Sequence, residues 1–321
     1  MLIVNILLII LGMALLVKGG DFLVDGASSL ARRYRISELA IGLTIVAFGT
    51  SAPELVVSLT ASLNAHPEIA LGNVIGSNNF NLFVILGLTG IIMPVAVKKN
   101  TVRIEIPFSL LAALILFALA NYGFISGGTN ILTRIDGIIL LLFFGLFVFY
   151  VFKTMKTSGT SESQSGAVTL SLAKTLIFII LGLVLLAAGG RLVVYSAVEL
   201  ALALNISQKV IGLTIVAAGT SLPELVTSIT AIIKKNNDIA IGNIIGSNIF
   251  NIFLILGSSA LARPMEYSYV FNRDIFLLVL GTLLLLLAMF TGKKRILERR
   301  GSVVLVLIYV GYVIYLIMRN E

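Results

Sequence analysis

A register of 170 residues runs through this chain. Residues 41–60 read IGLTIVAFGTSAPELVVSLT and residues 211–230 read IGLTIVAAGTSLPELVTSIT, identical at 16 of 20 positions. Residues 69–89 read IALGNVIGSNNFNLFVILGLT and residues 239–259 read IAIGNIIGSNIFNIFLILGSS, identical at 14 of 21. The match holds without a gap from Gly12 to Pro94. Its densest stretches are polar, which shared apolar composition does not produce. The chain is a duplication, so its fold must be buildable from two copies of one unit.

Composition says where the unit sits. Of the 321 residues 58% are apolar and 12% charged, against roughly 45–50% and about 25% in soluble domains. A soluble core of this size cannot hide that much apolar surface. A spanning helix needs about 20 mostly apolar residues, and ten stretches qualify: near 3–30, 38–63, 69–93, 104–122, 134–153, 172–202, 209–233, 239–262, 273–291 and 302–319. None alternates with period two, so helices rather than a barrel are expected. The N-terminus lacks a basic region and a cleavage site, and reads as the start of a retained span.

Five spans per copy is an odd number, so the second copy enters the membrane from the opposite side. Loop charges say the same independently. The basic loop Arg32–Arg35 has the uncharged Leu202–Asn205 as its counterpart, and Asn64–Pro67 has Lys234–Asn237 with two lysines. Sixteen Lys and Arg lie in odd-numbered loops and five in even loops and tails. The positive-inside rule puts the odd loops in the cytoplasm and both termini outside. The net charge of +8 then reflects topology, not nucleic-acid binding. The expected organisation is a first repeat over 1–153, a Gly/Ser-rich flexible cytoplasmic linker over 154–171 and an inverted repeat over 172–321. Inverted repeats with a site at the midplane are a transporter architecture; the bland alternative is a duplicated scaffold.

Each copy carries one unusual turn: Gly49-Thr50-Ser51-Ala52-Pro53-Glu54 and Gly219-Thr220-Ser221-Leu222-Pro223-Glu224. A carboxylate at mid-span costs about 2.5–3.5 kcal/mol on insertion scales, and no basic residue repeats nearby to offset it. A bound cation is the simplest partner. Pro53 and Pro223 lack an N–H and crowd the preceding turn, so carbonyls near Ala47–Thr50 and Ala217–Thr220 should lose helical partners. Freed carbonyls at membrane depth are tolerated where they line a cavity. An ordinary proline kink is the alternative.

The next span places Asn73, Ser77 and Asn81 on one helical face, with Asn243, Ser247 and Asn251 as twins. Asn73 and Asn243 read equally well as helix-to-helix hydrogen bonders or ion contacts; Asn81 and Asn251 read as lining the site. Gly72, Gly76, Gly242 and Gly246 allow close helix approach. The donors are hard oxygens throughout. With no Cys and one His, His66, zinc and copper chemistry is disfavoured. Ca²⁺ takes 6–8 such oxygens and two Glu neutralise it; Mg²⁺ fits less well.

GTSAPE with GNVIGSNNFN, repeated as GTSLPE with GNIIGSNIFN, resembles the two alpha-repeats of the sodium/calcium exchanger family within the cation/calcium exchangers, and most nearly a prokaryotic calcium/sodium antiporter. The motifs cover about 40 residues per half. The resemblance implies an all-α membrane protein of ten helices in two inverted five-helix repeats. Broken helices 2, 3, 7 and 8 would form a central ion-binding bundle, with spans 1 and 6 sliding for alternating access. It implies Glu54 and Glu224 as shared ligands for Ca²⁺ and Na⁺, the transported substrates. Thr50, Ser51, Thr220, Ser221, Ser77 and Ser247 would complete the sites with the backbone oxygens of Ala47 and Ala217, and Asn81 and Asn251 would lie at the middle. No catalytic residue, organic cofactor or nucleic-acid partner is implied. The expected setting is the lipid bilayer of the plasma (inner) membrane, and the functional unit a monomer.

Some relatives carry Asp where Asn251 stands; Asn disfavours K⁺ co-transport. Val74-Ile75 and Ile244-Ile245 follow the Gly-Asn pairs, where proton-coupled relatives often carry an acid, which favours Na⁺ over H⁺. An H⁺/Ca²⁺ antiporter on the same two Glu and a cation channel are the competing readings. The remaining charges are expected to be local: Lys18 paired with Asp21 and Asp25 on span one, Asp136 and Glu199 near interfaces, His66 solvated. The aromatic run Phe143–Tyr150 is expected to be lipid-facing or interfacial rather than functional.

Overall fold

The computed structural model describes residues 2–123, 130–155, 170–203, 217–291 and 295–318. The apolar runs become long helices, because in hydrocarbon every backbone N–H and C=O must find its partner within the segment. We label them α1 (Leu2–Tyr34), α2 (Glu38–Thr50), α3 (Ala52–Leu63), α4 (Pro67–Ile92), α5 (Thr101–Ala120), α6 (Arg134–Met155), α7 (Leu172–Ala203), α8 (Leu222–Ile233), α9 (Asn237–Ala262), α10 (Phe271–Thr291) and α11 (Arg299–Met318). Among the described residues eight helices are long and apolar enough to span, and the bent pair α2–α3 makes a ninth. Part of the expected seventh span, and the linker Thr157–Gly166, lie outside the described residues.

Span two breaks where the proline requires it. The axes of α2 and α3 differ by 49°, about Ser51 at φ −83°, ψ 5°. Pro53 stands in the first turn of α3, where a missing N–H costs nothing. Pro223 has the same place in α8. The expected breaks in spans three and eight are absent: α4 and α9 run through as single helices. Each instead widens into π turns, over Phe80–Ile85 and Phe250–Leu256. Neither helix has a proline beyond its first turn, so nothing forces a break. A further π turn, Gly42–Val46, precedes Ala47 in α2. Such turns shift a helix's register and are frequent at functional sites.

The two copies repeat even their tight turns. Ala65 and Lys235 both take positive φ, 62° and 59°. In each, the last carbonyls of the helix are capped from the turn: His66 N–H to Ala61 C=O at 2.8 Å and Asn236 N–H to Ala231 C=O at 2.8 Å. The backbone is conserved between copies while the loop charge is not.

Burial divides the helices by role. In α4 and α9, 72% and 94% of the most apolar window is enclosed by protein; in α1, α6, α7 and α11 the share is 28% or less. The former are central and the latter peripheral. Close glycine contacts let α2 cross α9. A Cβ on Gly42 would sit 2.9 Å from Ile239 O, and one on Gly242 would sit 2.8 Å from Leu39 O.

α1 and α7 lie together antiparallel: Gly12 faces Gly189, Gly19 faces Gly182 and Gly26 faces Ile179. Outside the helices, β1 (Val95–Ala96) pairs with β4 (Ile296–Leu297), and β2 (Ile131–Leu132) with β3 (Met265–Glu266). Odd loop thus meets odd loop, and even meets even.

Two peripheral expectations fail. Asp21 and Asp25 pair with Lys234, at 3.2 and 2.8 Å, rather than with Lys18; the end of α8 packs on α1 and brings a cation to them. Of the aromatic run, Phe143 stacks on Phe253 and Phe144 packs edge-on to Phe250. Phe147 is fully buried, and Phe149 faces outward. A peripheral helix still needs one face against its neighbours, and α9 supplies the rings. Asp136 accepts from the N–H and hydroxyl of Thr133 at the start of α6. His66 is exposed.

Candidate functional site

The bend at Ser51 and its twin turn at Ser221 bring the two Glu-bearing segments together. Glu54 and Glu224 are 0% and 1% exposed, a burial that costs several kcal/mol for an unpaired charge. Their bonds cross between copies. Ser51 Oγ donates to Glu224 Oε1 at 2.8 Å, and Ser221 Oγ donates to Glu54 Oε1 at 3.2 Å. The carboxyl groups are within Coulomb reach of each other.

A second pair of crossings braces the site. Thr50 Oγ1 donates to Asn243 Oδ1 at 3.0 Å, and Thr220 Oγ1 to Asn73 Oδ1 at 3.3 Å. The Asn73 amide donates to Glu54 O and Ser58 Oγ, and that of Asn243 to Glu224 O and Ser228 Oγ. Both ends of these amides are engaged helix-to-helix, as the tie reading of Asn73 and Asn243 expects.

Asn81 and Asn251 differ. Asn81 Nδ2 donates to Asn248 Oδ1 at 3.1 Å and Asn251 Nδ2 to Asn78 Oδ1 at 2.9 Å. Their own carbonyl oxygens have no partner. Asn78 and Asn248, with Ser58 and Ser228, were missed by sequence reasoning. Their signal was present, since all four are identical across the 170-residue register.

Among the described residues twelve buried side-chain oxygens lack a hydrogen bond, and six of them form three register-related pairs: Oε2 of Glu54 and Glu224, Oγ of Ser77 and Ser247, and Oδ1 of Asn81 and Asn251. Native interiors leave few such atoms, and each calls for an explanation. All six belong to residues expected as ligands. They comprise two carboxylates, two hydroxyls and two amides, hard donors suited to Ca²⁺ or Na⁺. Among the described residues no three His, Cys, Asp or Glu cluster as a conventional metal site. The hard oxygens gathered here are mostly neutral ones around one acidic pair.

The Ala47 carbonyl is less free than the proline argument required. It accepts the Ser51 N–H at 3.0 Å and the Thr50 hydroxyl at 3.4 Å. The carbonyl deprived by Pro53 is that of Gly49, four residues back. Ala217 opens the described part of its segment and begins a short helical turn.

Comparison with known proteins gives this arrangement its context. The sequence model described as "Sodium/calcium exchanger protein" matches residues 4–153 and 174–318. The chain belongs to the sodium/calcium exchanger family. The family is one of transporters rather than enzymes. The sodium/calcium exchanger MaX1 of Methanosarcina acetivorans is 34% identical over 98% of this chain and 99% of its own. The inner membrane protein YrbG of Escherichia coli K12 is 36% identical over 97% of this chain and 95% of its own. A solved structure of the sodium-calcium exchanger NCX_Mj superposes with a TM-score of 0.82 at 34% identity, covering 98% of both chains. This exchanger is accordingly a multi-pass membrane protein.

Proposed function

We propose that the chain performs its family's sodium/calcium antiport at the paired oxygen site around Glu54 and Glu224, with Ca²⁺ and Na⁺ occupying the same donors in turn. The observation that carries this is the set of six buried, partnerless oxygens in three register-related pairs. Ca²⁺ would draw on both carboxylates, which neutralise it. Na⁺ ions would use the same carboxylates with Ser77, Ser247, Thr50, Thr220 and the carbonyls near Ala47 and Ala217. Ser51 and Ser221 would hold the carboxylates in place. Asn81 and Asn251 would line the centre.

The ten-span reading, with repeats 1–153 and 172–321 inverted about a linker at 154–171, has independent support. The Ser–Glu, Thr–Asn and Asn–Asn side-chain bonds across the site recur at the 170-residue offset with donor and acceptor helices exchanged. Antiparallel contact of α1 and α7 is what inversion of the first spans requires. Odd-to-odd and even-to-even loop pairing suits one charged and one uncharged face, with both termini extracytoplasmic. The glycine seam packs α1 tightly on α7, and sliding of these two helices, spans one and six, against the central bundle would expose the site alternately. The expected setting is the plasma membrane, with the monomer as the working unit.

The test is radioactive Ca²⁺ uptake into voltage-clamped liposomes holding the purified protein. An outward Na⁺ gradient should drive uptake, and Glu54→Gln and Glu224→Gln should each abolish it. Uptake driven equally by an outward H⁺ gradient would overturn the coupling ion. Uptake indifferent to any counter-ion would mean a channel.

A further inference from the structure

A third buried carboxylate lies away from the paired Glu54 and Glu224. Glu105, on the first turns of α5, is 3% exposed. Tyr150 of α6 donates to its Oε1 at 2.6 Å, and its Oε2 has no hydrogen bond. Its register partner is Ile275, which is fully buried. The second half holds a comparable acid–tyrosine pair, Tyr312 donating to Asp274 at 2.7 Å, but Glu105 is not among the oxygens expected to bind the exchanged ions.

Glu105 lines a partly open cavity of about 230 Å³ at one end of the helices, together with Lys98, Lys99, Asn100, Tyr150 and Thr154. That is below the roughly 300–1,000 Å³ of drug-sized sites, so its occupant is small. The wall also includes Leu39, Ala40 and Leu43 of α2, the segment that continues to Ala47 and Thr50. Lys98 is paired with Asp238 at the start of α9. Lys99 is exposed and has no ion pair among the described residues.

The chemistry restricts the occupant. A free metal cation is disfavoured by two ammonium groups lining the same cavity. A simple anion is disfavoured by a buried carboxylate oxygen that wants a donor. A molecule carrying an N–H-bearing ammonium and a phosphate satisfies both ends. Phe149 and Phe152 of α6 and Ile104 of α5, next in sequence to lining residues, are outward-facing apolar side chains on spanning helices. Acyl chains can lie against these while the headgroup turns inward.

We propose that this cavity holds the headgroup of a phosphatidylethanolamine, with Glu105 accepting from its ammonium and Lys99 meeting its phosphate. Assigning the cavity to the cytoplasmic leaflet rests on the topology proposed above; the binding chemistry does not. The bound headgroup braces α2 against α5 and α6, on the first half of the broken span.

The experiment is native mass spectrometry of the full-length protein after equilibration with mixed vesicles of dioleoyl-phosphatidylethanolamine and dioleoyl-phosphatidylcholine. The protein should retain one phosphatidylethanolamine in preference to phosphatidylcholine, whose trimethylammonium has no N–H. Glu105→Gln should lower that retention about tenfold, the scale of one charge-assisted hydrogen bond. Lys99→Ala, an exposed change that leaves folding intact, should also lower it. Equal retention of the two lipids, or unchanged retention in Lys99→Ala, overturns the proposal. Displacement by soluble phosphoethanolamine at lipid-like concentrations would replace the lipid with a soluble zwitterion and equally overturn it. Because the readout is lipid retention, it stands whether or not Na⁺ drives Ca²⁺ uptake.

Discussion

Ser51 lies three residues before Glu54, yet its hydroxyl donates to Glu224, 173 positions away. A double-mutant cycle tests this crossing. The bond is 2.8 Å long, its donor is 2% exposed and its acceptor 1%. A hydrogen bond to a charged group contributes about 1.5–3 kcal/mol, and one between neutral groups about 0.5–1.5. At a pH that ionises both carboxyl groups, Ser51→Ala should therefore destabilise the ion-free protein by about 1.5–3 kcal/mol. In the Glu224→Gln background the acceptor is neutral, and the same substitution should lose only about 0.5–1.5 kcal/mol, a coupling of about 1 kcal/mol or more. In the Glu54→Gln background the cost of Ser51→Ala should stay nearer the parent's than it does in the Glu224→Gln background, because the direct bond is kept. Ser221→Ala should show the mirror pattern, coupling to Glu54 more strongly than to Glu224. The assay is unfolding in a denaturing-detergent titration without Na⁺ or Ca²⁺, followed by far-UV circular dichroism. Coupling of Ser51 to Glu54 as strong as to Glu224 would refute the crossed arrangement and the packing of the two halves built on it.

Further expectations concern helix seams, protons and surface charge. A side chain at Gly19 would place its Cβ 2.8 Å from Leu186 N and 2.9 Å from Gly182 O, backbone that cannot yield; Gly19→Val should abolish uptake, whereas Gly76→Ala, with open space at its Cβ, should keep it in the same liposome assay. Protons compete with cations for the two carboxylates, so Ca²⁺ uptake should fall as pH falls, and raising Ca²⁺ should restore it; pH-independent uptake between pH 5 and pH 8 would count against carboxylate ligation. Lys234→Ala removes ion pairs whose side chains are 30–49% exposed, so its thermal midpoint should stay near the parent's, since such pairs contribute at most about 1 kcal/mol.

Much of the exchanger was legible in its sequence, because membranes leave the chain few options. Helices and their approximate ends follow from apolar length, since an unpaired backbone group in hydrocarbon is too costly. The bend of span two follows from Pro53. The acidic pair and its oxygen-rich neighbours were marked by polar identity where apolar residues were expected. Repetition did the rest, for Asn81 and Asn251, Ser77 and Ser247.

Other features waited for the tertiary structure, and the reason is the same in each. Which hydroxyl meets which carboxylate depends on how two distant segments face each other, so Ser51 could not be assigned to Glu224 by spacing. Asn73 and Asn243 found their hydroxyl donors only when Thr220 and Thr50 arrived from the other half. Span three has no proline that forces a break, and its π turns appear only once α4 is packed. Asp21 and Asp25 found Lys234 because α8 lies on α1. Glu105 stayed hidden because it lies beyond the matching stretch and Ile275 stands 170 positions on, so repetition did not mark it. Sequence fixes a residue's chemistry and its cost of burial; only packing decides which group offsets that cost.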